Sequence, residues 1–212
     1  FVGNAGANWF RGGAGNDTID GGAGEDWLDF INVNNGVFVD FVAGFAYGES
    51  TDRDVFSNVE HVRGSNLDDW LVGNAATNVL RGGAGDDILD GGDGIDIADY
   101  SEATGGVTVD LVRGTGFDPD GYDTLRRIEG AYGSAFADML IGNAGDNVFQ
   151  GGDGVDTIVG GGGLDIARYT DASAAITANL AAHLFTGAAA DDVLQGIEGI
   201  QVELKNNEQG RE

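Results

Sequence analysis

An acidic side chain returns at a fixed step along this chain. Asp17, Asp26, Asp69, Asp87, Asp96, Asp138, Asp156 and Asp165 each take the sixth place of a nine-residue unit, and Asn8, Asn78 and Asn147 take it in three others. Gly12–Asp20 reads GGAGNDTID, Gly21–Asp29 reads GGAGEDWLD and Gly82–Asp90 reads GGAGDDILD; GGDGIDIAD starts at Gly91 and GGDGVDTIV at Gly151. Carboxylates gathered in this way repel, since two unit charges about 4 Å apart cost roughly 4 kcal/mol at an effective dielectric of 20. A row of them calls for a cation. Carboxylates with turn carbonyls offer an all-oxygen site, which suits Ca²⁺ and its six to eight oxygen ligands. Softer metals prefer imidazole or thiolate, and the chain has two His and no Cys.

The elements that would hold these acids follow from the rest of the unit. Eleven units start at residues 3, 12, 21, 64, 73, 82, 91, 133, 142, 151 and 160. Place eight is apolar in all of them: Phe10, Ile19, Leu28, Leu71, Leu80, Leu89, Ala98, Leu140, Phe149, Ile158 and Ala167. Glycines at places one, two and four allow a tight six-residue turn. The last three residues suit a short strand with its apolar side chain inward. Two units make a coil of eighteen residues, and stacked coils give two parallel sheets over a thin core, each coil relying on its neighbours for burial. Turns two units apart lie about 4.8 Å apart, so their sixth places converge. A flexible glycine linker would not keep an apolar residue every nine positions.

GGAGNDTID and its relatives resemble the GGxGxDxUx nonapeptide of RTX (repeats-in-toxin, hemolysin-type) proteins, and the five units quoted above keep every glycine and the acid. The resemblance implies an all-β chain, a parallel β-roll or β-helix solenoid of stacked nonapeptide coils. It also implies a ligand set: carbonyls of places two and four with the side chain of place six in one turn, then carbonyls of places one and three with the sixth side chain two units later. Carried onto this sequence, one site draws on Ser65, Leu67 and Asp69 with Gly82, Ala84 and Asp87. A second uses Asn74, Ala76 and Asn78 with Gly91, Asp93 and Asp96. The third block repeats them as Ser134, Phe136 and Asp138 with Gly151, Asp153 and Asp156, and as Asn143, Gly145 and Asn147 with Gly160, Gly162 and Asp165. The first block keeps Asn4, Gly6 and Asn8 with Gly21, Ala23 and Asp26. About five calcium sites result. Asn at place six removes a charge, so the sites of Asn8, Asn78 and Asn147 are expected to be the weaker ones. Asp17 and the upper side of Asp87 face coils of irregular sequence.

Blocks of units recur at about 69 residues, Gly64-Ser65 matching Gly133-Ser134. Between them lie three segments of shared design: Asn35–Arg63, Gly105–Tyr132 and Ala174–Gln201. Each opens on an alternating strand (VFVDF from Val37, VTVDL from Val107, ITANL from Ile176). Each closes on a second, as in Asp54–Val62, Asp123–Ala131 and Asp192–Ile200. These are read as wider coils that continue the roll, with the GES and GFDPDGYD stretches protruding as loops. Similar inserts occur in large secreted RTX proteins. The reading is one continuous solenoid over 1–212, with modules 1–63, 64–132 and 133–204 and a polar tail at 205–212. Phe1-Val2 fits places eight and nine of a unit begun earlier, so the chain is read as a fragment of a longer polypeptide.

A net charge of −26 disfavours nucleic acid and anionic membranes, and no apolar run approaches the roughly 18 residues of a membrane span. Without Cys there is no disulfide, but calcium can replace that staple. At tenfold over its Kd each site contributes about 1.4 kcal/mol by mass action, so five approach about 7 kcal/mol. The chain is therefore expected to be disordered at cytosolic calcium and to fold outside the cell. The resemblance implies the same route, type I secretion from a Gram-negative bacterium to the extracellular space or cell surface.

Catalysis finds little support. His61 beside Glu60 and His183 in AAHLF are isolated, Ser101 and Ser134 lack a partner His, and no GxSxG occurs. Trp9 and Trp27 share place seven two units apart, so they are expected to stack on one outer face; Trp70, Val79, Ile88, Ile97, Met139, Val148 and Ile166 hold the same place. That apolar strip is expected either to be covered by inserts or the rest of the parent chain, or to bind a glycan or protein. The reading is a non-catalytic calcium-binding module supporting folding and secretion of a larger exported protein. The alternative is the accessory region of an extracellular enzyme (alginate epimerase, peroxidase, lipase or protease) or an adhesin segment.

Overall fold

A computed structural model describes residues 1–48, 52–170, 177–180, 184–186 and 192–202. The last three residues of each unit, or two in the first, form a strand, and these sort into two long sheets with no α-helix among the described residues. Nine parallel strands make the first sheet: Trp9–Phe10, Trp27–Asp29, His61–Arg63, Val79–Arg81, Ile97–Asp99, Gly130–Tyr132, Val148–Gln150, Ile166–Tyr169 and Gly199–Val202. Its register aligns place eight with place eight, so Phe10, Leu28, Val62, Leu80, Ala98, Ala131, Phe149, Ala167 and Ile200 run in one inward row. The second sheet has twelve strands and aligns Leu71 with Leu89, Leu140 with Ile158 and Ile158 with Leu194. The two rows face each other across one thin core. A one-residue slip would turn the whole place-eight row out of the core, which is what fixes the register.

The inserts enter the two sheets unequally. In the twelve-stranded sheet an insert adds three strands, Phe38–Asp40, Phe45–Tyr47 and Arg53–Ser57, paired antiparallel with one another. In the nine-stranded sheet the same insert adds only His61–Arg63. The second insert does likewise with Thr108–Asp110, Thr115–Asp118 and Gly121–Arg126, then Gly130–Tyr132. In the third, Thr177–Asn179 pairs with Leu184–Thr186 as a separate hairpin.

The structure departs from the sequence pattern in three places. Asp54–Val62 and its counterparts are not single strands: each breaks at a left-handed residue, Asn58 (φ 51), Arg127 (φ 50) or Gly196 (φ 62), and the chain crosses from one sheet to the other. GFDPDGYD is no protruding loop, because its flanks are the strands Thr115–Asp118 and Gly121–Arg126, joined by a turn at Pro119-Asp120. Place seven does not uniformly face solvent: Val79, Ile97 and Val148 are buried in a second small cluster against Trp27 and Tyr132. Trp9 and Trp27 do stack, 4.6 Å apart and 2° from coplanar, whereas Trp70 lies on the other sheet, edge-on to Phe38. Glu49 and Ser50 of the GES stretch, His183 and the tail 205–212 lie outside the described residues.

Candidate metal centres

The turns form two stacks, one leading into each sheet, and each stack carries a row of place-six side chains. In the row beside the nine-stranded sheet the backbone N–H of Asn8 donates to Asp26 Oδ1 at 2.7 Å, and that of Asp26 donates to Glu60 Oε2 at 3.0 Å. The same two steps recur through Asn78, Asp96 and Glu129, and through Asn147, Asp165 and Glu198. Beside the twelve-stranded sheet the row runs Asp69, Asp87 and Asp123, then Asp138, Asp156 and Asp192, again with each N–H donating to the next carboxylate. Asp17 donates to Asp54 in the same way. Glu60, Glu129 and Glu198, and likewise Asp54, Asp123 and Asp192, belong to the inserts and were not expected in these rows. The signal was present in the sequence: each set recurs at a spacing of 69 residues.

Two kinds of turn alternate along both rows. Where place two is Asn or Ser, the sixth side chain closes its own turn. Asn78 Oδ1 accepts from Asn74 N at 2.7 Å, and Asn74 Oδ1 accepts from Ala76 N at 2.8 Å. Asn4 and Asn8, and Asn143 and Asn147, repeat this around Gly6 and Gly145. Ser65 N and Ser134 N donate in the same way to Asp69 and Asp138, each at 2.6 Å, and Leu67 N and Phe136 N bond the serine hydroxyls. The choice between Asn and Asp at place six follows from the coil below. Asn78 and Asn147 donate their amides to the carbonyls of Glu60 and Glu129. Asp69 and Asp138 instead accept from the N–H groups of Val37 and Val107 at 2.7 Å. A donor meets a carbonyl and an acceptor meets an N–H.

The GGxG turns are different. Their places two and four have positive φ, as at Gly83 (113°) and Gly85 (121°). Place one is glycine for another reason: a Cβ on Gly82, Gly91 or Gly160 would overlap the carboxylate of Asp87, Asp96 or Asp165, which folds back over its own turn. In each of these acids Oδ1 caps the neighbouring coil. The other oxygen, Oδ2 of Asp17, Asp26, Asp87, Asp96 and Asp165, is buried with no hydrogen-bond partner.

Such oxygens are costly to bury as anions, and burial shifts their protonation. Asp87 is pushed up to about 8 by burial, with Asp123 and Asp69 adding repulsion. Asp96 is pushed up to about 7 by burial and Glu129, against the pull of Arg127. Asp69 and Asp123 rise to about 6, and Asp138 and Asp165 rise as well, burial being the leading cause throughout. Apart from the pull of Arg127 on Asp96, the arginines are engaged elsewhere. Arg11, Arg63, Arg81, Arg113 and Arg127 pair with Asp29, Glu102, Asp99, Asp110 and Asp90, none of them in either row. Tyr100 and Tyr169 donate to Asp123 and Asp192. His61 is held structurally, accepting from Val79 N at 3.1 Å and meeting Glu25 at 2.9 Å.

The residues fit a hard cation. Unpartnered carboxylate oxygens lie beside turn carbonyls, and a Cβ on Gly83 or Gly92 would overlap the carbonyl of Ser65 or Asn74. Among the described residues no group of three or more His, Cys, Asp or Glu side chains forms a cluster of metal-binding type. An ion here would draw much of its coordination from backbone oxygen, which calcium accepts. Among the described residues no helix is long and apolar enough to cross a membrane. A family described as RTX calcium-binding nonapeptide repeat (4 copies) matches residues 2–30, 63–98 and 132–167. No curated protein matches the chain, and the match brings no catalytic family with it.

Proposed function

Because this chain carries RTX calcium-binding nonapeptide repeats of the hemolysin type across much of its length, we propose that its turn stacks are calcium sites and that the roll folds when they fill. RTX repeats are typical of secreted bacterial proteins, and the module is proposed to act outside the cell as part of a larger exported polypeptide. The observation that carries this reading is the buried, unpartnered Oδ2 of Asp17, Asp26, Asp87, Asp96 and Asp165. Calcium, when bound, supplies the positive charge that none of the arginine ion pairs named above brings to these rows. The donors proposed are the carboxylates of Asp69 and Asp87, with the carbonyls of Ser65, Leu67, Gly82 and Ala84, and the four equivalent sets named above. Within a set the GGxG acid is the stronger ligand, because the closed turn already uses its sixth side chain. In the Asn sets the acid of the GGxG turn is the one carboxylate, and the Asn amide serves the coil below. Trp9, stacked on Trp27 and half exposed, is a candidate contact for a glycan or for another part of the parent protein.

Isothermal titration of the metal-free chain tests the reading. Calcium is expected to bind at several sites per chain, and magnesium at the same concentration to leave most of them unfilled, since it demands a tighter octahedron. Equal binding of both ions, or none, would contradict it.

A further inference from the structure

Apart from Arg63 and Tyr132 at their ends, the inserts lie outside the residues matched as repeats, yet one part of each copies a repeat turn. Where the chain leaves the twelve-stranded sheet it turns in three residues: Asn58-Val59-Glu60, Arg127-Ile128-Glu129 and Gly196-Ile197-Glu198. The first residue of each is left-handed, with φ of 51°, 50° and 62°. That conformation aims its carbonyl at the first glycine of the GGxG turn in the coil below. A Cβ on Gly91 would overlap both Arg127 O and Asp96 Oδ2; Gly21 faces Asn58 O and Asp26 Oδ2, and Gly160 faces Gly196 O and Asp165 Oδ2. Between two ordinary units the same space over Gly73 holds the carbonyl of Gly91, a place-one residue, and the side-chain oxygen of Asn78. The corner thus supplies the place-one carbonyl.

It supplies the acid too. Glu129 Oε2 accepts from Asp96 N, as a place-six Asp would, and Glu60 and Glu198 do so for Asp26 and Asp165. Glutamate fits because the corner is three residues shorter than a repeat turn, and one more methylene restores the reach. Asp26, Asp96 and Asp165 are fully or almost fully buried, and the oxygen each turns toward the corner carbonyl is unpartnered. The guanidinium of Arg127 is drawn off to Asp90, at 2.7 Å from Nε. The other row lacks this arrangement: the space over Gly82 is filled by Asp87 itself, and Asp123 Oδ2 is taken by the Tyr100 hydroxyl.

We propose that each three-residue corner closes a further divalent-cation site, of calcium type, against the GGxG turn beneath it. Asp96, Glu129 and the Arg127 carbonyl would hold one ion, with the Asn58–Glu60 and Gly196–Glu198 corners equivalent. This rests on the reading that GGxG turns bind calcium. The test compares the full chain with its Glu129→Gln variant by calcium titration and native mass spectrometry. Gln keeps an oxygen for Asp96 N, so a purely structural Glu129 predicts no change; the proposal predicts one calcium fewer with the other sites unaltered. The same count in both proteins overturns the corner site alone, whereas a wild-type chain that binds no calcium overturns the underlying reading as well. Should the variant not fold, anomalous scattering from wild-type crystals grown in calcium decides. A peak between Asp96 and Glu129 is expected, and peaks confined to gaps between repeat turns overturn the proposal.

Discussion

At the scale of single residues, place six is set by what it faces. Sequence reasoning treats Asn78 as an aspartate that has lost its charge. The structure gives it a different task, donating to Glu60 O while accepting from Asn74 N. Replacing it with Asp would set a carboxylate against a carbonyl and leave both unsatisfied, at a cost of roughly 1–3 kcal/mol. We therefore expect Asn78→Asp to lower stability in saturating calcium, measured by urea unfolding, without tightening any calcium site. Tighter binding in that variant would mean that Asn78 is a weakened ligand and nothing more. Asp69, facing Val37 N–H, shows the opposite requirement at the same place of the repeat.

At the scale of elements, the six-residue turn depends on three glycines with two separate duties. Place one must leave room for the carboxylate, whereas places two and four need a backbone that other residues resist. Gly83 combines positive φ with close approach to Ser65 O. Gly83→Ala should destabilise the calcium-loaded roll by about 1–3 kcal/mol or more, while Ala84→Gly, next to it but free of both constraints, should cost far less; urea unfolding of the pair measures this. The turns and their strands were legible in the sequence because the nine-residue frame repeats without slip within each block. Place-eight residues such as Leu71 and Leu140 could be put in the core directly. The inserts were legible only in part. Alternation in DVFSNVEHV reads as one strand, and nothing in that pattern announces a left-handed Asn58 that ends it. The corner acids Glu60, Glu129 and Glu198 carry no such mark, because a three-residue turn has no room for the glycine signature. Their spacing of 69 residues was the available clue.

At the scale of the whole molecule, two rows of buried acids make stability depend on charge. Asp87 and Asp96 are raised to about 8 and about 7 in the folded chain, and Asp69 and Asp123 to about 6, all from an ordinary 3.8. An acid whose folded pKa is raised binds more protons folded than unfolded across that interval. Its contribution is thus intact below about pH 4 and is lost as pH rises through the folded values. In the absence of metal, the chain should gain structure on acidification from pH 8 to pH 5; a metal-free β signal that instead strengthened with rising pH would contradict this origin. Protons and calcium compete for the same oxygens, so calcium affinity should fall over the same range. With a net charge of −26 and no Cys, the chain has neither disulfides nor an excess of basic residues to offset the repulsion. Far-UV circular dichroism at pH 7.5, first in EDTA and then in millimolar calcium, shows whether filling the turn stacks folds the roll. A disordered spectrum in EDTA that converts to a β spectrum as calcium is added is expected, and a β spectrum already present in EDTA and unchanged by calcium would rule out calcium-driven folding.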